Sequence, residues 1–281
     1  MQILCIDSAD DPRVSAYRAV RDPELVRARG LFVAEGRLVV ERLIREGRYA
    51  IESVLVSEAA LHALEEALPS LDLQIPVEVP IYVCRADDLH GITGYDVHRG
   101  CLALAERPRP AGLDELLASA RTVVVLDGVT NADNVGGVFR NAAAFGVDAV
   151  LLCPASCDPL YRKAIRTSMA ATLRVPFARL TEHAADWRAS LAALRGRGFT
   201  LVALTPREPA RDLDEFAASE RPARLALVVG GEGAGLSAES EAIADYRVRI
   251  PIERDVDSLN LAVAAGIALH QLFSRRERRE G

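Results

Sequence analysis

The chain has 281 residues, of which 50% are hydrophobic and 26% are charged, and its formal net charge is −6. This length and composition favour one large or two medium globular domains, each with a hydrophobic core. The acidic balance excludes a generally basic nucleic-acid-binding protein, although it leaves room for a local basic face.

The first hundred residues alternate between predicted helices and strands. Residues 11–30 carry five arginines among spaced apolar residues, which is typical of one or two short helices with a basic face. Further on, short runs of apolar and β-branched residues predict strands, and apolar residues spaced by three and four predict helices. The alternation predicts a small α/β domain over residues 1–106. Its predicted strands are 31–35, 51–56, 77–84 and 100–105, and its predicted helices are 36–46, 58–68 and 86–90.

Residues 107–116 are predicted to be a linker, because the segment RPRPAG at its start contains two prolines and a glycine. Residues 117–281 form the second predicted domain. Its strands are continuous apolar runs, as expected where helices cover both faces of a sheet, so we predict an open, mostly parallel α/β sheet. The predicted strands are 122–126, 149–152, 200–204, 225–229 and 246–250, and the predicted helices are 135–145, 159–169, 185–195, 212–218 and 258–274.

Neither a signal peptide nor a membrane span is expected. The apolar start of the chain is short and is soon followed by acidic residues, and the longest apolar stretch, residues 259–273, contains Asn260, His270 and Gln271. The five cysteines are odd in number and include no CxxC pair. This usage predicts free thiols, a cytoplasmic location and no metal site.

The first candidate site lies where the predicted strand 122–126 gives way to a polar loop and a helix. The helix contains Asn134, Gly136, Gly137 and Arg140. The first turn of a helix leaves backbone N–H groups unpaired, and an arginine can hold a phosphate or carboxylate through two hydrogen bonds. Taken alone, the segment is equally consistent with a helix N-cap at Asn134, glycines for close packing and a surface arginine.

A second cluster, GGEGAGL at 230–236, follows the predicted strand 225–229. Glycines let the backbone approach a ligand closely, and Glu232 is an acceptor in a loop with almost no other side chains. The glycine spacing differs from the GxGxxG fingerprint of dinucleotide-binding proteins. A glycine-rich turn with a capping glutamate is the competing interpretation.

A third cluster, Asp257-Ser258-Leu259-Asn260, opens a long alanine-rich helix after the predicted strand 246–250. Asp257 or Ser258 can be its N-cap, whereas Asn260 in the first turn of an apolar helix needs hydrogen-bonding partners. All three clusters follow the carboxyl end of a strand. An open α/β sheet binds its ligand at that edge, so we predict a ligand site there.

In this order and spacing, three motifs resemble the signature motifs of the SpoU/TrmH-type RNA ribose 2′-O-methyltransferases of the SPOUT superfamily. They are Asn134-x-Gly136-x3-Arg140, Gly230-Gly231-Glu232-Gly233 and Ile250-Pro251 with Ser258-Leu259-Asn260. The resemblance covers residues 121–274, and residues 31–105 resemble the family's amino-terminal substrate-binding domain. The chain departs from the family at Ala132, often Pro, and at Gly231, often Asn or Ser. Neither departure removes a catalytic group.

The resemblance implies a deep trefoil knot in the second domain, a homodimer, and S-adenosylmethionine as the methyl donor for rRNA or tRNA. It also implies two sets of site residues. The cofactor-binding set is Thr205, Gly230, Gly231, Gly233, Ile250, Ile252 and Leu259. The catalytic set is Asn134, Arg140, Glu232, Ser258 and Asn260.

For the reaction, our hypothesis is that Arg140 binds the 3′ phosphate and orients the ribose hydroxyl. Arg140 is not expected to act as a free base, because guanidinium does not readily lose a proton. Asn134 and Glu232 are expected to hold Arg140 and the loop, and Ser258 and Asn260 to position the hydroxyl. RNA affinity is assigned to the arginines of residues 13–29 and to Arg275, Arg276, Arg278 and Arg279.

Three alternatives stay open at this point. The first is a non-catalytic RNA-binding relative of the same fold, against which the three intact motifs argue. The second is a nucleotide-dependent oxidoreductase, against which the absence of GxGxxG argues. The third, within the family, is methyl transfer to a base rather than to ribose.

Overall fold

The computed structural model describes residues 2–18, 21–70, 75–109, 112–219, 222–253 and 255–280. It forms two compact units. The first comprises Met1–Arg109 with Pro159–Leu173, and the second comprises Pro110–Asp158 with Arg174–Gly281. The sequence-based division assigned residues 159–173 to the second domain, whereas in the structure these residues group with the first unit.

The first unit contains a five-stranded sheet in the order β1-β4-β3-β5-β2. Strands β1, β4 and β3 run parallel, and β5 pairs antiparallel with both β3 and β2. The structure adds β1, which the sequence did not predict because four residues with no buried member carry no periodic signal. The elements are β1 Gln2–Cys5, β2 Leu31–Glu35, α1 Arg37–Glu46, β3 Ile51–Ser57, α2 Glu58–Ser70, β4 Pro80–Cys84, α3 Ala86–Thr93 and β5 Cys101–Glu106, with short helical segments at Pro12–Tyr17 and Glu24–Ala28.

The remaining elements include a seven-stranded sheet in the order β10-β12-β9-β11-β6-β7-β8, in which every neighbouring pair is parallel. The predicted α/β class with a mostly parallel sheet is therefore confirmed. The elements are α4 Leu113–Ala118, β6 Thr122–Asp127, α5 Ala132–Ala144, β7 Ala149–Leu152, α6 Arg162–Thr167, α7 Ala171–Arg174, β8 Phe177–Arg179, α8 Trp187–Gly196, β9 Thr200–Leu204, β10 Arg211–Asp212, α9 Leu213–Ser219, β11 Leu225–Gly230, α10 Ala238–Ile243, β12 Tyr246–Arg249 and α11 Leu261–Glu280.

Several boundaries differ from the sequence-based prediction, each for a local reason. Helix α4 occupies part of the predicted linker, because LDELLA is a good helix-forming segment despite the prolines before it. The predicted helix 159–169 shortens to α6, since Met169 and Ala170 adopt left-handed backbone with φ of 53° and 66°. The predicted strand 77–84 begins at Pro80, after a turn closed by the bond from Val79 N to the Pro76 carbonyl.

The core of the second unit places the candidate residues. The central strands β9, β11 and β6 are almost completely buried. Because they are parallel, their carboxyl ends meet at one edge of the sheet. Helices α5 and α11 pack closely together there, and a Cβ on Gly137 would lie 2.5 Å from the Cβ of Ala262. Two of the polar clusters follow β6 and β11, and the third follows β12, which pairs parallel with β9. All three clusters are therefore brought to the same edge.

Within the described residues, no helix is both long and apolar enough to cross a bilayer. That part of the chain also contains no group of three or more His, Cys, Asp or Glu side chains that could hold a metal ion.

Candidate active site

Helix α5 begins earlier than predicted, and its cap is not Asn134. The Oδ1 of Asn131 accepts the backbone N–H of Asp133 at 2.9 Å, which makes Asn131 the N-cap. Asn134 therefore lies inside the first turn, where its side chain is buried with 3% exposure. The interpretation of Asn134 as a simple cap is wrong, and its amide is available for another partner.

Helix α11 begins later than predicted, and its cap is Asn260. The Oδ1 of Asn260 accepts the backbone N–H groups of Ala262 at 3.0 Å and Val263 at 3.2 Å. Ser258 and Asp257, the caps considered from the sequence, lie on the exposed segment before the helix. The Asn260 side chain thus satisfies two of the N–H groups that a helix start leaves unpaired.

The capping hydrogen bonds determine the orientation of the Asn260 side-chain amide. A backbone N–H can only donate, so Oδ1 faces the helix and Nδ2 points away from it. The Nδ2 group donates to Oδ1 of Asn134 at 3.0 Å and to Oε1 of Glu232 at 3.3 Å. One amide therefore joins all three sequence motifs.

One donor of the Asn134 amide has no acceptor. Since Oδ1 of Asn134 faces Asn260, the Nδ2 of Asn134 points elsewhere. That nitrogen is buried and has no hydrogen-bond partner in the part of the chain that the structure describes. An unsatisfied buried donor costs about 1–3 kcal/mol, so Asn134 is held in place by its other contacts.

Arg140 lies apart from this network. Its side chain is exposed and makes no hydrogen bond or ion pair with any described residue. The structure thus contradicts the expectation that Asn134 and Glu232 hold Arg140, because both contact Asn260 instead. The reason is helical geometry: six residues at about 100° per residue direct Asn134 and Arg140 to different faces of α5. The Arg140 guanidinium is available to a ligand.

A cavity of about 660 Å³ opens beside the network in the second unit. All seven residues predicted to bind a cofactor line it, as do Glu232, Ser258 and Asn260, whereas Asn134 and Arg140 do not. The sequence did not single out other lining residues, among them Pro206 and Arg207. Their position directly after strand β9 is the signal that could have identified them. The full lining is Leu204, Thr205, Pro206, Arg207, Val229, Gly230, Gly231, Glu232, Gly233, Gly235, Leu236, Ile250, Ile252, Asp257, Ser258, Leu259, Asn260, Leu261 and Ala264.

The glycines of the 230–236 loop serve the fold of the loop itself. A Cβ on Gly230 would lie 2.2 Å from the carbonyl carbon of Gly235, and one on Gly231 would lie 2.4 Å from the Gly128 oxygen. The close approach expected from the sequence is therefore made to protein backbone at these two positions. Gly233 has open space around it but a φ of +81°, which favours glycine for conformational reasons.

Asp127 anchors this loop from the end of β6. Its carboxylate is buried and accepts hydrogen bonds from the N–H and the hydroxyl of Ser237 at 2.8 and 2.7 Å. Its carbonyl accepts the N–H of Gly231 at 3.0 Å. The segment that carries Glu232 is thus bound to the sheet at both ends.

The basic segment of the first unit is only partly free. Arg13 pairs with Asp11 at 2.6 Å, and its hydrogen bonds lower the pKa of that carboxyl to about 2. Arg18 bonds to the Asp11 carbonyl. Arg21, Arg27 and Arg29 are exposed and have no ion pair with the described residues. The side chains of Arg275, Arg276, Arg278 and Arg279, which the sequence also assigned to RNA, lie outside the described residues.

Comparison with known protein sequences gives three findings. The profile of the SpoU rRNA Methylase family matches residues 121–270. A Mycobacterium bovis protein named as an uncharacterized tRNA/rRNA methyltransferase is 41% identical over 266 residues, covering 93% of this chain and 88% of that protein. A Bacillus subtilis protein named as a 23S rRNA (guanosine(2553)-2′-O)-methyltransferase is 27% identical over 95% of this chain and 98% of its own.

A solved structure shares the fold. The crystal structure of an AdoMet-bound rRNA methyltransferase from Sinorhizobium meliloti superposes with a TM-score of 0.78 at 24% identity, and the match covers 99% of each chain.

Proposed function

Because the chain belongs to the SpoU rRNA methylase family, we propose that it transfers a methyl group from S-adenosylmethionine to a ribose 2′-hydroxyl of rRNA or tRNA. The family named from the sequence motifs is thereby confirmed, and so is RNA methylation as the activity. The ribose 2′-hydroxyl as acceptor is supported by the name of the Bacillus subtilis relative.

The observation that carries the proposal is the meeting of the three motifs at one cavity. Asn260 joins Asn134 and Glu232 through its Nδ2, and both Asn260 and Glu232 line the cavity. Parallel α/β sheets bind ligands at the carboxyl ends of their strands, where this cavity lies. The Asn260 amide therefore links the helix that carries Arg140 with the residues around the cavity.

The cavity fits S-adenosylmethionine by its size and its lining. Its volume of about 660 Å³ lies within the range of about 300–1,000 Å³ that is usual for ligand sites. Apolar side chains, including Val229, Ile250 and Leu259, suit an adenine ring, and exposed backbone of the 230–236 loop offers polar groups. Residues Thr205, Gly230, Gly231, Gly233, Ile250, Ile252 and Leu259 would hold the cofactor, as the sequence predicted.

The cofactor, when bound, supplies an activated methyl group, and the residues of this chain place the acceptor. Arg140 binds a phosphate next to the target ribose and orients the 2′-hydroxyl, which its free and exposed guanidinium allows. Asn260 holds Glu232 close to α5, because its Nδ2 donates to both Glu232 and Asn134. Ser258, whose hydroxyl is exposed at the cavity, approaches the ribose. The phosphate held by Arg140 is the acceptor that we assign to the hydroxyl proton.

For assembly and partners, we propose a trefoil knot in the second domain, a homodimer and a cytoplasmic location. We also propose that residues 1–106 are the RNA substrate-binding domain. Within that domain, Arg21, Arg27 and Arg29 are the arginines of the basic segment that remain free for phosphates. The proposed homodimer would bring the substrate-binding domains of two chains to one assembly.

The test is methyl transfer from labelled S-adenosylmethionine to bulk tRNA and bulk rRNA, followed by nucleoside analysis. Wild-type enzyme should produce a labelled 2′-O-methyl nucleoside from one pool. Arg140→Ala should reduce the rate by about a hundredfold or more at saturating RNA, while S-adenosylmethionine still binds. Arg188→Ala is the matched control, because Arg188 on α8 is also exposed and makes no hydrogen bond or ion pair with the described residues.

Nucleoside analysis also separates the alternatives. A labelled base-methyl nucleoside would replace the ribose proposal with base methylation. Saturable S-adenosylmethionine binding without label in any RNA, including precursor rRNA, would favour a non-catalytic relative. Full activity of Arg140→Ala would refute the role given to Arg140.

A further inference from the structure

Among the described residues, Arg207 is the one cationic side chain that lines the proposed cofactor cavity. It follows strand β9 by three residues and lines the cavity together with the acids Glu232 and Asp257. Its NH1 donates to Oε1 of Glu241 at 3.2 Å, and its NH2 donates to the carbonyl of Ala234 at 2.8 Å. The side chain thus reaches from the end of β9 to the 230–236 loop.

These contacts fix Arg207 but leave it able to bind a ligand. A guanidinium has five N–H donors, and two are used by Glu241 and Ala234. The side chain is 54% exposed, so further donors can reach a bound molecule. The Glu241 side chain is 15% exposed, and its Oε1 also accepts a hydrogen bond from the Thr205 hydroxyl at 3.4 Å. The guanidinium is therefore pre-positioned at the cavity.

We propose that Arg207 binds the carboxylate of the methionine part of S-adenosylmethionine and so selects the intact cofactor. This inference rests on the proposed function. The carboxylate is the one negative group of that molecule, and Glu232 and Asp257 repel it. An arginine beside a carboxylate forms strong charge-assisted hydrogen bonds and can do so through two parallel N–H groups.

The contact with Ala234 links binding to the glutamate loop. The NH2 group that bonds the Ala234 carbonyl belongs to the same planar guanidinium that receives the carboxylate. A cofactor carboxylate bound to Arg207 would therefore restrain the guanidinium that holds the Ala234 carbonyl, and through it the loop that carries Glu232. Arg207 acts as a specificity-determining residue, while Arg140 acts on the RNA.

The experiment compares S-adenosylmethionine with its decarboxylated form, which keeps the sulfonium, the amine and the adenosine. Calorimetric titration would measure both dissociation constants for wild type, Arg207→Met, Arg207→Lys and Arg211→Met. Arg211 is a suitable control, since it is an arginine four residues away that bonds Ser219 and does not line the cavity.

Wild type should bind S-adenosylmethionine about tenfold or more tightly than the decarboxylated form. Arg207→Met should lose this preference by weakening only the binding of S-adenosylmethionine. Arg207→Lys should retain part of it, because lysine offers a point charge without the fork. Arg211→Met should behave as wild type.

Two results would overturn the inference while leaving the proposed function intact. In one, Arg207→Met weakens both ligands equally, which would make Arg207 a support of the loop alone. In the other, wild type binds the two ligands equally. If wild type binds neither ligand, the proposed cofactor itself is refuted, and the role of Arg207 with it.

Discussion

Asn260 donates a hydrogen bond from its Nδ2 to the Oδ1 of Asn134, 3.0 Å away, although the two residues are 126 positions apart in the chain. The same side chain caps α11 through its Oδ1. One residue therefore sets both where a helix begins and how two motifs meet.

Replacing Asn260 by Asp should separate these two roles. The carboxylate still caps α11, but it replaces the Nδ2 donor with an acceptor that faces Oε1 of Glu232 and Oδ1 of Asn134. We expect methyl transfer to fall at least about tenfold. The free energy of unfolding should fall by about 1–3 kcal/mol, because Oδ1 of Asn134 loses its donor, but without the further loss that removing the cap would cause. Urea unfolding and single-turnover methylation would measure the two effects.

Asn260→Ala is the companion variant, because it removes the cap as well. Losing the cap costs about 1 kcal/mol, and leaving the buried Asn134 oxygen unpaired adds about 1–3 kcal/mol. An Asp variant that methylates RNA as fast as wild type would show that the link to Asn134 is dispensable.

Gly230→Ala should destroy the cofactor cavity. The added Cβ would lie 2.2 to 2.4 Å from backbone atoms of Gly235 and Leu236, so the loop must move away from β11. We expect S-adenosylmethionine binding to be lost and the unfolding free energy to fall by about 1–3 kcal/mol. Calorimetry and urea unfolding would check this.

The control for Gly230→Ala is Gly196→Ala at the end of α8. A Cβ there meets nothing within 4 Å, and the backbone needs no positive φ. We expect wild-type cofactor binding and unchanged or slightly higher stability. Normal binding by Gly230→Ala would mean that the loop is not held as the structure has it.

Gly137→Ala should push α5 away from α11, since the new Cβ would lie 2.5 Å from the Cβ of Ala262. We expect a loss of stability of about 1–3 kcal/mol despite the better helix propensity of alanine. Ala262→Gly in the same chain removes the clashing atom and should restore most of the loss. A thermodynamic cycle of the two single variants and the double variant measures this coupling.

If the stability changes of the two single variants simply added up in the double variant, the close packing of α5 on α11 would be contradicted. Ala262→Gly alone should cost about 1 kcal/mol or less, because it lies in the first turn of α11 and leaves only a small void.

The stability of the first unit should fall as pH rises above 9. Burial raises the pKa of Cys84 to about 11 and that of Cys101 to about 12, from an ordinary value of 9.0. Below pH 9 both thiols stay protonated in folded and unfolded chains, so their contribution is fully present. Above pH 9 the unfolded chain loses protons that the folded chain retains, and the contribution declines as pH approaches the folded values.

Urea unfolding from pH 8 to 10 would measure this decline. The double variant Cys84→Ala with Cys101→Ala should show a shallower pH dependence, at lower absolute stability. Cys5→Ala is the control, because Cys5 is exposed, and it should keep the wild-type slope. Equal slopes in all three proteins would rule out the buried thiols as the cause.

Local patterns determined most of the fold in advance. The runs at 149–152 and 200–204 predicted strands with the bounds that the structure has, because continuous β-branched and apolar residues suit a strand that is covered on both faces. The three motifs also pointed to one edge of the sheet, since carboxyl ends of parallel strands must meet. The family followed from their order and spacing.

Tertiary contacts decided the rest. Whether Ser258 or Asn260 caps α11 depends on where the chain enters the helix, and Asn260 is fixed there by Asn134 and Glu232, which lie far away in sequence. The hydrogen bond from Arg207 to the Ala234 carbonyl likewise joins two loops whose sequences carry no common pattern. The sequence by itself determined which residues form strands, helices and motifs, because these depend on neighbours along the chain. Only the folded chain decided which polar groups become partners, because a hydrogen bond depends on distances between groups that sequence separates.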